Sequence, residues 1–171
     1  QLKIKFVSQD LLQKALSINI SGDIKNKNCA FQVFTPDGPL ALLPYSSEQA
    51  SVVWSVKHNS QILKKNNDEL INIISKHLSD RVTSPKISSI EKYNLHFIYA
   101  KKLFYKNVVL LGNVAHNIHP IAGQGLNLSI KDISLFVEKV CKYSSLGYKV
   151  NNQSMLEEFD AKRKLDNTAY S

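Results

Sequence analysis

The sequence predicts an α+β fold: an antiparallel sheet over the first hundred residues, then a single strand–loop–helix unit of the kind found in α/β domains. Three observations predict it. Short segments of apolar and β-branched residues, separated by turn residues, crowd positions 15–56. An apolar run, Val108-Val109-Leu110-Leu111, then feeds a glycine-rich stretch, Gly112 to Asp132, that reads GNVAHNIHPIAGQGLNLSIKD. Apolar residues at helical spacing follow it.

Each element has its own signal. Ala15 to Ile20 (ALSINI) alternates apolar and polar residues, the period of a half-buried strand, and Ala30 to Thr35 (AFQVFT) does the same. Pro36-Asp37-Gly38-Pro39 is a turn signal. Leu40 to Pro44 and Ser51 to Val56 read as two further strands, so the group resembles an antiparallel sheet. Leu70, Ile71, Ile73, Ile74 and Leu78 predict a helix, with Asp68 and Glu69 in its first turn, where the helix dipole favours negative charge. Tyr93 to Tyr99 predicts a strand. The run 108–111 predicts a buried strand, and a long helix is expected from about Gly125 to about Tyr143. Leu126, Ile130, Ile133, Val137 and Val140 are expected to form its buried face. Ser144 to Asn152 reads as a loop, and Met155, Leu156, Phe159 and Leu165 predict a last amphipathic helix.

Composition sets modest limits. The chain has 171 residues, 43% of them hydrophobic and 21% charged, which is ordinary for a globular protein. The apolar runs are too short for a transmembrane helix. The start, QLKIKFVSQD, lacks the apolar core of a signal peptide and lacks an initiator Met, which suggests processing or an internal piece of a longer protein. The net charge of +8 reads first as solvated lysines, second as attraction to an anionic membrane surface, and third as nucleic-acid binding. No arginine-rich stripe supports that third reading. Cys29 and Cys141 lie far apart, in apolar surroundings and without a CxxC, which fits a reducing compartment better than a disulfide framework.

The glycine-rich stretch carries the chemistry. Gly112 closes the strand, where a missing side chain lets a ligand or a helix come close. Asn113 sits at the C-terminal edge of the strand, the usual ligand side of an α/β sheet. Gly123-Gln124-Gly125 opens the helix, where free N–H groups and the dipole favour negative charge or carbonyl oxygens. A lone GxG is more often a tight turn with no ligand. His116 and His119, at i and i+3, lack an evident third ligand for a metal and read as hydrogen-bonding loop residues. His58, His77 and His96 show no clustering. Asp132 reads as a structural hydrogen-bond or ion-pair partner rather than a catalyst.

The pattern GNxAHxxHPxAGQGLNLxxxD resembles the second flavin motif of the FAD-dependent aromatic hydroxylases, in particular the branch that hydroxylates ubiquinone precursors, the 2-polyprenyl-6-methoxyphenol hydroxylase-like group. Most of the wider family has Asp where Asn113 stands; a Gly-Asn version occurs in that subgroup. Phe34 to Pro44 (FTPDGPLALLP), Val52-Val53-Trp54-Ser55, Gln13-Lys14-Ala15-Leu16, and Leu156, Phe159, Arg163, Asp166 and Asn167 resemble further family segments in the right order. The family's opening strand–GxGxxG–helix unit has no counterpart among the six glycines of this chain.

The resemblance implies a p-hydroxybenzoate hydroxylase-like fold without its N-terminal dinucleotide-binding unit. Residues 1–100 would be part of the substrate domain and 101–171 the C-terminal part of the FAD domain. The implied cofactor is FAD, with NAD(P)H as reductant, and the implied reaction is oxygen transfer to a polyprenylated phenol in ubiquinone biosynthesis. Asn113 would bond the ribityl or pyrophosphate region, with Gly112 giving it room, and Pro120 would lie beside the isoalloxazine ring. Gly123, Gln124, Gly125, Leu126 and Asn127 would present backbone N–H groups at the pyrimidine end. Ser129 departs mildly from the family's usual Gly. The LALLP segment and Trp54 would be either walls of the substrate cavity or ordinary sheet core. Implied partners are the polyprenyl phenol, an N-terminal half and other ubiquinone-biosynthesis proteins, with no nucleic acid. The implied location is cytoplasmic, with room for peripheral contact at the inner face of the plasma membrane. The competing reading is a non-catalytic remnant or split-gene partner that cannot bind FAD alone.

Overall fold

A computed structural model of the chain describes residues 3–117 and 124–168, and from 165 onward, as at Gln124, the backbone only. The chain divides into two compact units, residues 10–95 and residues 1–9 with 96–171. It passes between them within the strands β1 (Phe6–Ile24) and β5 (Val82–Ala100).

The first unit is an antiparallel sheet with a helix. Strands β2 (Phe31–Thr35), β3 (Gly38–Pro44) and β4 (Gln49–Lys57) join β1 and β5 in the order β2-β3-β4-β1-β5. The predicted turn is tighter than Pro36–Pro39: β3 starts at Gly38, which pairs with Thr35. Gly38 has φ +134°, and a Cβ there would sit 2.1 Å from the Ser55 carbonyl oxygen, so only glycine fits. Leu16 lies opposite Trp54, and Leu40 opposite the same Trp54, so one residue of β4 bridges two neighbours on one sheet face.

Helix α1 (Asn67–Leu78) covers that face with Leu70, Ile74 and Leu78, all 1% exposed. It starts cleanly because Asn66 Oδ1 accepts from Glu69 N at 2.9 Å while Glu69 Oε2 accepts from Asn66 N at 3.1 Å, a capping box. Trp54, Leu40 and Leu42 belong to this core, whereas Leu43 of the same segment is exposed. β4 is buried on both faces: Ala50, Val52, Trp54 and Val56 on one, Ser51 and Ser55 on the other.

The second unit is built on two helices, α2 (Gln124–Ser145) and α3 (Gln153–Thr168). The expected buried strand 108–111 is cut to two residues, β7 (Val108–Val109), paired in a hairpin with β6 (Phe104–Tyr105). Val108 is exposed, and the chain leaves the hairpin at Leu110, which is buried. A 3-10 turn at Gly112–Val114 follows, then β8 (His116–Asn117), antiparallel to the end of β5. The turn exists because Gly112 takes φ +66°, and Ala115 N donates back to Gly112 O at 2.8 Å.

The face of α2 differs from the expectation. Leu126, Ile130, Ile133 and Val137 are exposed, at 51–69%. Only Val140 of that stripe is partly buried. The face turned to the core carries Leu128, Asp132, Leu135, Phe136 and Lys139. This set has the same i, i+4, i+7, i+11 spacing, offset by two residues. The helix holds two periodic stripes, and the core selected the one with the buried ionic residues, because their partners lie on β8 and α3. Met155, Leu156 and Phe159 of α3 are buried as expected; the Leu165 side chain lies outside the described residues.

Candidate cofactor site

The centre of the second unit is a buried carboxylate. Asp132 is held by three donors from two segments, the 112–116 turn and α3. Gly112 N donates to Oδ2 at 2.9 Å, His116 Nε2 donates to Oδ2 at 2.7 Å, and Arg163 Nε donates to Oδ1 at 2.6 Å. The side chains of Asp132 and Arg163 are 1% exposed and that of His116 is 2%. Burial by itself would raise the Asp132 pKa. The His116 and Gly112 hydrogen bonds and the Coulombic pull of His116 and Arg163 outweigh burial and hold it below the usual carboxylate value. Because His116 Nε2 faces the carboxylate, its other nitrogen, Nδ1, is buried and has no partner among the described residues.

This hub fixes the turn that bears the predicted site. Gly112 is tied to Asp132 through its N–H, and His116 is tied through its ring, so both ends of the 112–116 segment are anchored to one side chain of α2. The segment is also stitched to β5: Ala100 N donates to Ala115 O at 2.8 Å. The missing side chain of Gly112 lets α2 come close. A Cβ would lie 3.0 Å from Ser129 Oγ and 3.2 Å from Ser129 Cβ, on α2. Ser129 Oγ in turn donates to Gly125 O at 2.8 Å, which closes the first turn of the helix.

Asn113, Val114, Leu126 and Asn127 are exposed. A Cβ on Gly125 would lie 3.9 Å from Asn113 Oδ1, so the predicted Asn113 and the helix N-terminus are brought together. No acidic residue occupies the first turn of α2. An amide side chain beside a helix N-terminus whose first turn holds no acid suits a group rich in anionic or carbonyl oxygen, as a flavin is. Of the sequence-predicted residues, Gly112, Asn113, Gly125, Leu126 and Asn127 are gathered here, and Gln124 begins the helix. Pro120 and Gly123, with His119, lie outside the described residues.

The three-way role of Asp132 was only half visible in the sequence. Its register between Leu128 and Leu135 marks a carboxylate facing inward, which demands a partner, but nothing local identifies Arg163, 31 residues on. A second such carboxylate, Asp160, accepts from Leu103 N at 2.8 Å and from Lys164 Nζ at 2.6 Å. No group of metal-ligating side chains occurs among the described residues. Cys29 and Cys141 are exposed free thiols.

Comparison with known proteins gives the context. The chain is 28% identical over 162 residues to the ubiquinone hydroxylase UbiL of Rhodospirillum rubrum, covering 91% of this chain and 37% of that protein. It is 29% identical over 157 residues to the 3-demethoxyubiquinol 3-hydroxylase of Escherichia coli, covering 91% and 40%. The chain therefore spans about two fifths of the length of these relatives. Among solved structures, a probable FAD-dependent monooxygenase of Pseudomonas aeruginosa superposes with a TM-score of 0.71 at 20% identity, covering 95% of this chain and 47% of that one. The chondrochloren halogenase, an FAD-dependent halogenase from a myxobacterium, gives 0.72 at 16%, covering 98% and 41%. These confirm the α+β fold. The profile of the family described as FAD binding domain matches residues 1–165, and the chain belongs to that family.

Proposed function

We propose that this chain is part of an FAD-dependent monooxygenase that hydroxylates a polyprenylated phenol in ubiquinone biosynthesis. In this reading residues 1–100 contribute sheet to the substrate side and 101–171 the returning part of the flavin domain. The observation that carries it is the Gly112–Asn113 turn, pinned by Asp132 beside the N-terminus of α2, in a chain that matches the FAD-binding family over 165 residues.

FAD, reduced by NAD(P)H, would supply the oxygen-transfer chemistry, so no catalytic triad of side chains is required. The protein's residues hold and orient. Asn113 would hydrogen-bond the ribityl or pyrophosphate region, Pro120 would border the ring, and backbone N–H groups of Gly123, Gln124, Gly125, Leu126 and Asn127 would face its pyrimidine end. Their fixed dipoles favour negative charge there without reorganising. Asp132, through Gly112 and His116, keeps the turn in place.

The second reading, a partner chain that holds FAD only with a dinucleotide-binding half, is favoured by one observation: α2 leaves Leu126, Ile130, Ile133 and Val137 uncovered. A single experiment separates the two. The purified chain is titrated with FAD and followed by flavin absorbance and fluorescence quenching. Saturable binding that weakens about tenfold in Asn113→Ala, the loss of one hydrogen bond to a charged group, supports a self-sufficient site. No binding by the chain alone, with binding restored by a co-expressed segment bearing GxGxxG, supports the second reading. No binding in either case overturns the flavin assignment.

A further inference from the structure

Helix α3 grips the segment that carries the Gly112–Asn113 turn at two charged points. Asp160 accepts from Leu103 N at 2.8 Å, and Leu103 O accepts from Leu110 N at 2.7 Å, just before Gly112. One helical turn further along α3, Arg163 Nε donates to Asp132 Oδ1 at 2.6 Å. Residues three apart share a helix face. Phe159, fully buried beside them in sequence, packs edge-on against Phe136 of α2, ring centres 5.5 Å apart.

The two oxygens of Asp132 serve different elements. Oδ2 takes both donors of the 112–116 segment, Gly112 N at 2.9 Å and His116 Nε2 at 2.7 Å, while Oδ1 takes Arg163. The χ2 torsion of an aspartate is broad, so the plane of its carboxylate is set by what it binds rather than by its rotamer. Arg163 is 1% exposed, permanently charged, and presents its N–H groups in a rigid plane. It therefore fixes the carboxylate in rotation, and with it the direction in which Oδ2 meets the Gly112 N–H. Gly112, at φ +66°, needs such a hold, because glycine visits both signs of φ with similar ease.

We infer that Arg163 is a positioning residue for the Gly112–Asn113 turn, acting through Asp132, so that the docking of α3 is coupled to ligand binding at the turn. The identity of that ligand as FAD rests on the function proposed above; the hold of Arg163 on the turn does not. Coupling is reciprocal, so a ligand held by the turn must also tighten α3. A second tie between α2 and α3 supplies the contrast. Lys139 Nζ donates to Glu158 Oε1 at 2.5 Å and Tyr143 to Glu158 Oε2 at 3.0 Å, a tie that includes no residue of the 112–116 segment.

The test compares Arg163→Lys, which keeps the charge but not the planar fork, with Arg163→Gln and the control Glu158→Gln. All are made in the full chain, with the dinucleotide-binding half co-expressed if the chain alone does not hold FAD. Without ligand, the Gly112 amide proton should move upfield in both Arg163 variants as its hydrogen bond loosens, and stay in place in Glu158→Gln. FAD affinity should fall about tenfold in Arg163→Lys, within the usual range for coupling between sites. It should fall further in Arg163→Gln. Glu158→Gln should lower thermal stability and leave FAD affinity unchanged. In the wild-type chain, saturating FAD should slow amide exchange at residues 159–163. The inference is overturned if the Gly112 amide does not move in a folded Arg163 variant, or if Arg163→Lys binds FAD as the wild type does. It is also overturned if Glu158→Gln weakens FAD as much, since α3 would then act through stability alone. If neither Arg163 variant folds, unchanged α3 exchange on FAD saturation overturns it. A wild-type chain that binds no FAD in either form overturns the flavin assignment instead, and the Gly112 amide then decides the role of Arg163.

Discussion

Residues 10–95 bury Trp54, Leu16, Ile18, Ile20, Leu40, Leu42, Leu70, Ile74 and Leu78 and, among the described residues, no charged side chain. The other unit buries His116, Asp132, Lys139, Asp160 and Arg163 beside a smaller set of apolar groups. The sheet unit is closed by area removed from water, a quantity that responds to mutation in proportion to what is cut away. The helical unit is closed by ions that have given up hydration for one another, and such a set fails as a whole when one member goes. The ionic solution is the one nearest the candidate site. A turn made of three donors converging on one carboxylate has a single geometry, whereas apolar packing tolerates sliding.

The largest effect expected from this contrast follows Asp132→Ala. It takes the shared carboxylate away from a buried guanidinium and imidazole and frees the Gly112 N–H, which should cost about 3–5 kcal/mol. Urea unfolding read by circular dichroism gives the total. Amide exchange locates it: residues 112–116 and α3 should lose protection while β3 and β4 keep theirs. A loss below about 1 kcal/mol, or one shared equally by both units, would mean that the carboxylate is not what closes the second unit.

Acid should divide the units in the same way. The folded pKa of Asp132 is lowered relative to its unfolded value near 3.9. The unfolded state therefore binds the proton more tightly, and the stability this group contributes is fully present above that unfolded value. It is lost as pH falls toward and through the lowered folded pKa. The sheet unit buries no carboxylate among the described residues. Amide exchange at descending pH should show the 112–116 segment and α3 opening first, with β3–β4 protected. Simultaneous opening of both units would sink this ordering.

The same contrast explains what the sequence disclosed. In the sheet unit the short-range pattern was nearly sufficient: alternation in ALSINI, the apolar run SVVWSV and the acidic first turn of α1 are local signals that the tertiary structure left intact, and the Pro36–Pro39 turn signal survives in a tighter form. They underestimated length, since β1 and β5 each run 19 residues and their ends show no alternation. In the helical unit the flavin-like motif located the turn and helix because glycine spacing is local. The burial of α2 was misread because two stripes had equal periodicity. Only the long-range partners His116 and Arg163, 16 and 31 residues from Asp132, decide between them. The run 108–111 was cut short for a related reason: Leu110 N turns to bond Leu103 O, and the chain then bends at Gly112 to reach Asp132.

A smaller effect should come from Gly112→Ala. Holding an L residue at φ +66° costs about 1 kcal/mol, and the new methyl meets Ser129 at 3.0–3.2 Å, so a loss of about 2 kcal/mol is expected. The two parts separate in a double-mutant cycle with Ser129→Gly. In that background the loss from Gly112→Ala should shrink to the backbone part, as read by thermal unfolding. An undiminished loss would place the strain wholly in the turn, and the close approach of α2 would not be what requires glycine.

The smallest effect should belong to the largest buried side chain. Trp54 is fully buried and packs edge-on against His77, ring centres 6.4 Å apart, yet its indole N–H has no partner among the described residues. Trp54→Phe removes volume, at a cost of about 1 kcal/mol for a cavity of a few tens of Å³. It also removes a buried donor whose missing hydrogen bond costs about 1–3 kcal/mol. The two nearly cancel, so urea midpoints should move by less than about 1 kcal/mol equivalent in either direction. Asp132→Asn, which preserves shape but removes charge, should cost several times more. If Trp54→Phe proved as costly as Asp132→Asn, the indole N–H would have a partner, and the sheet unit would depend on a polar contact just as the helical unit does.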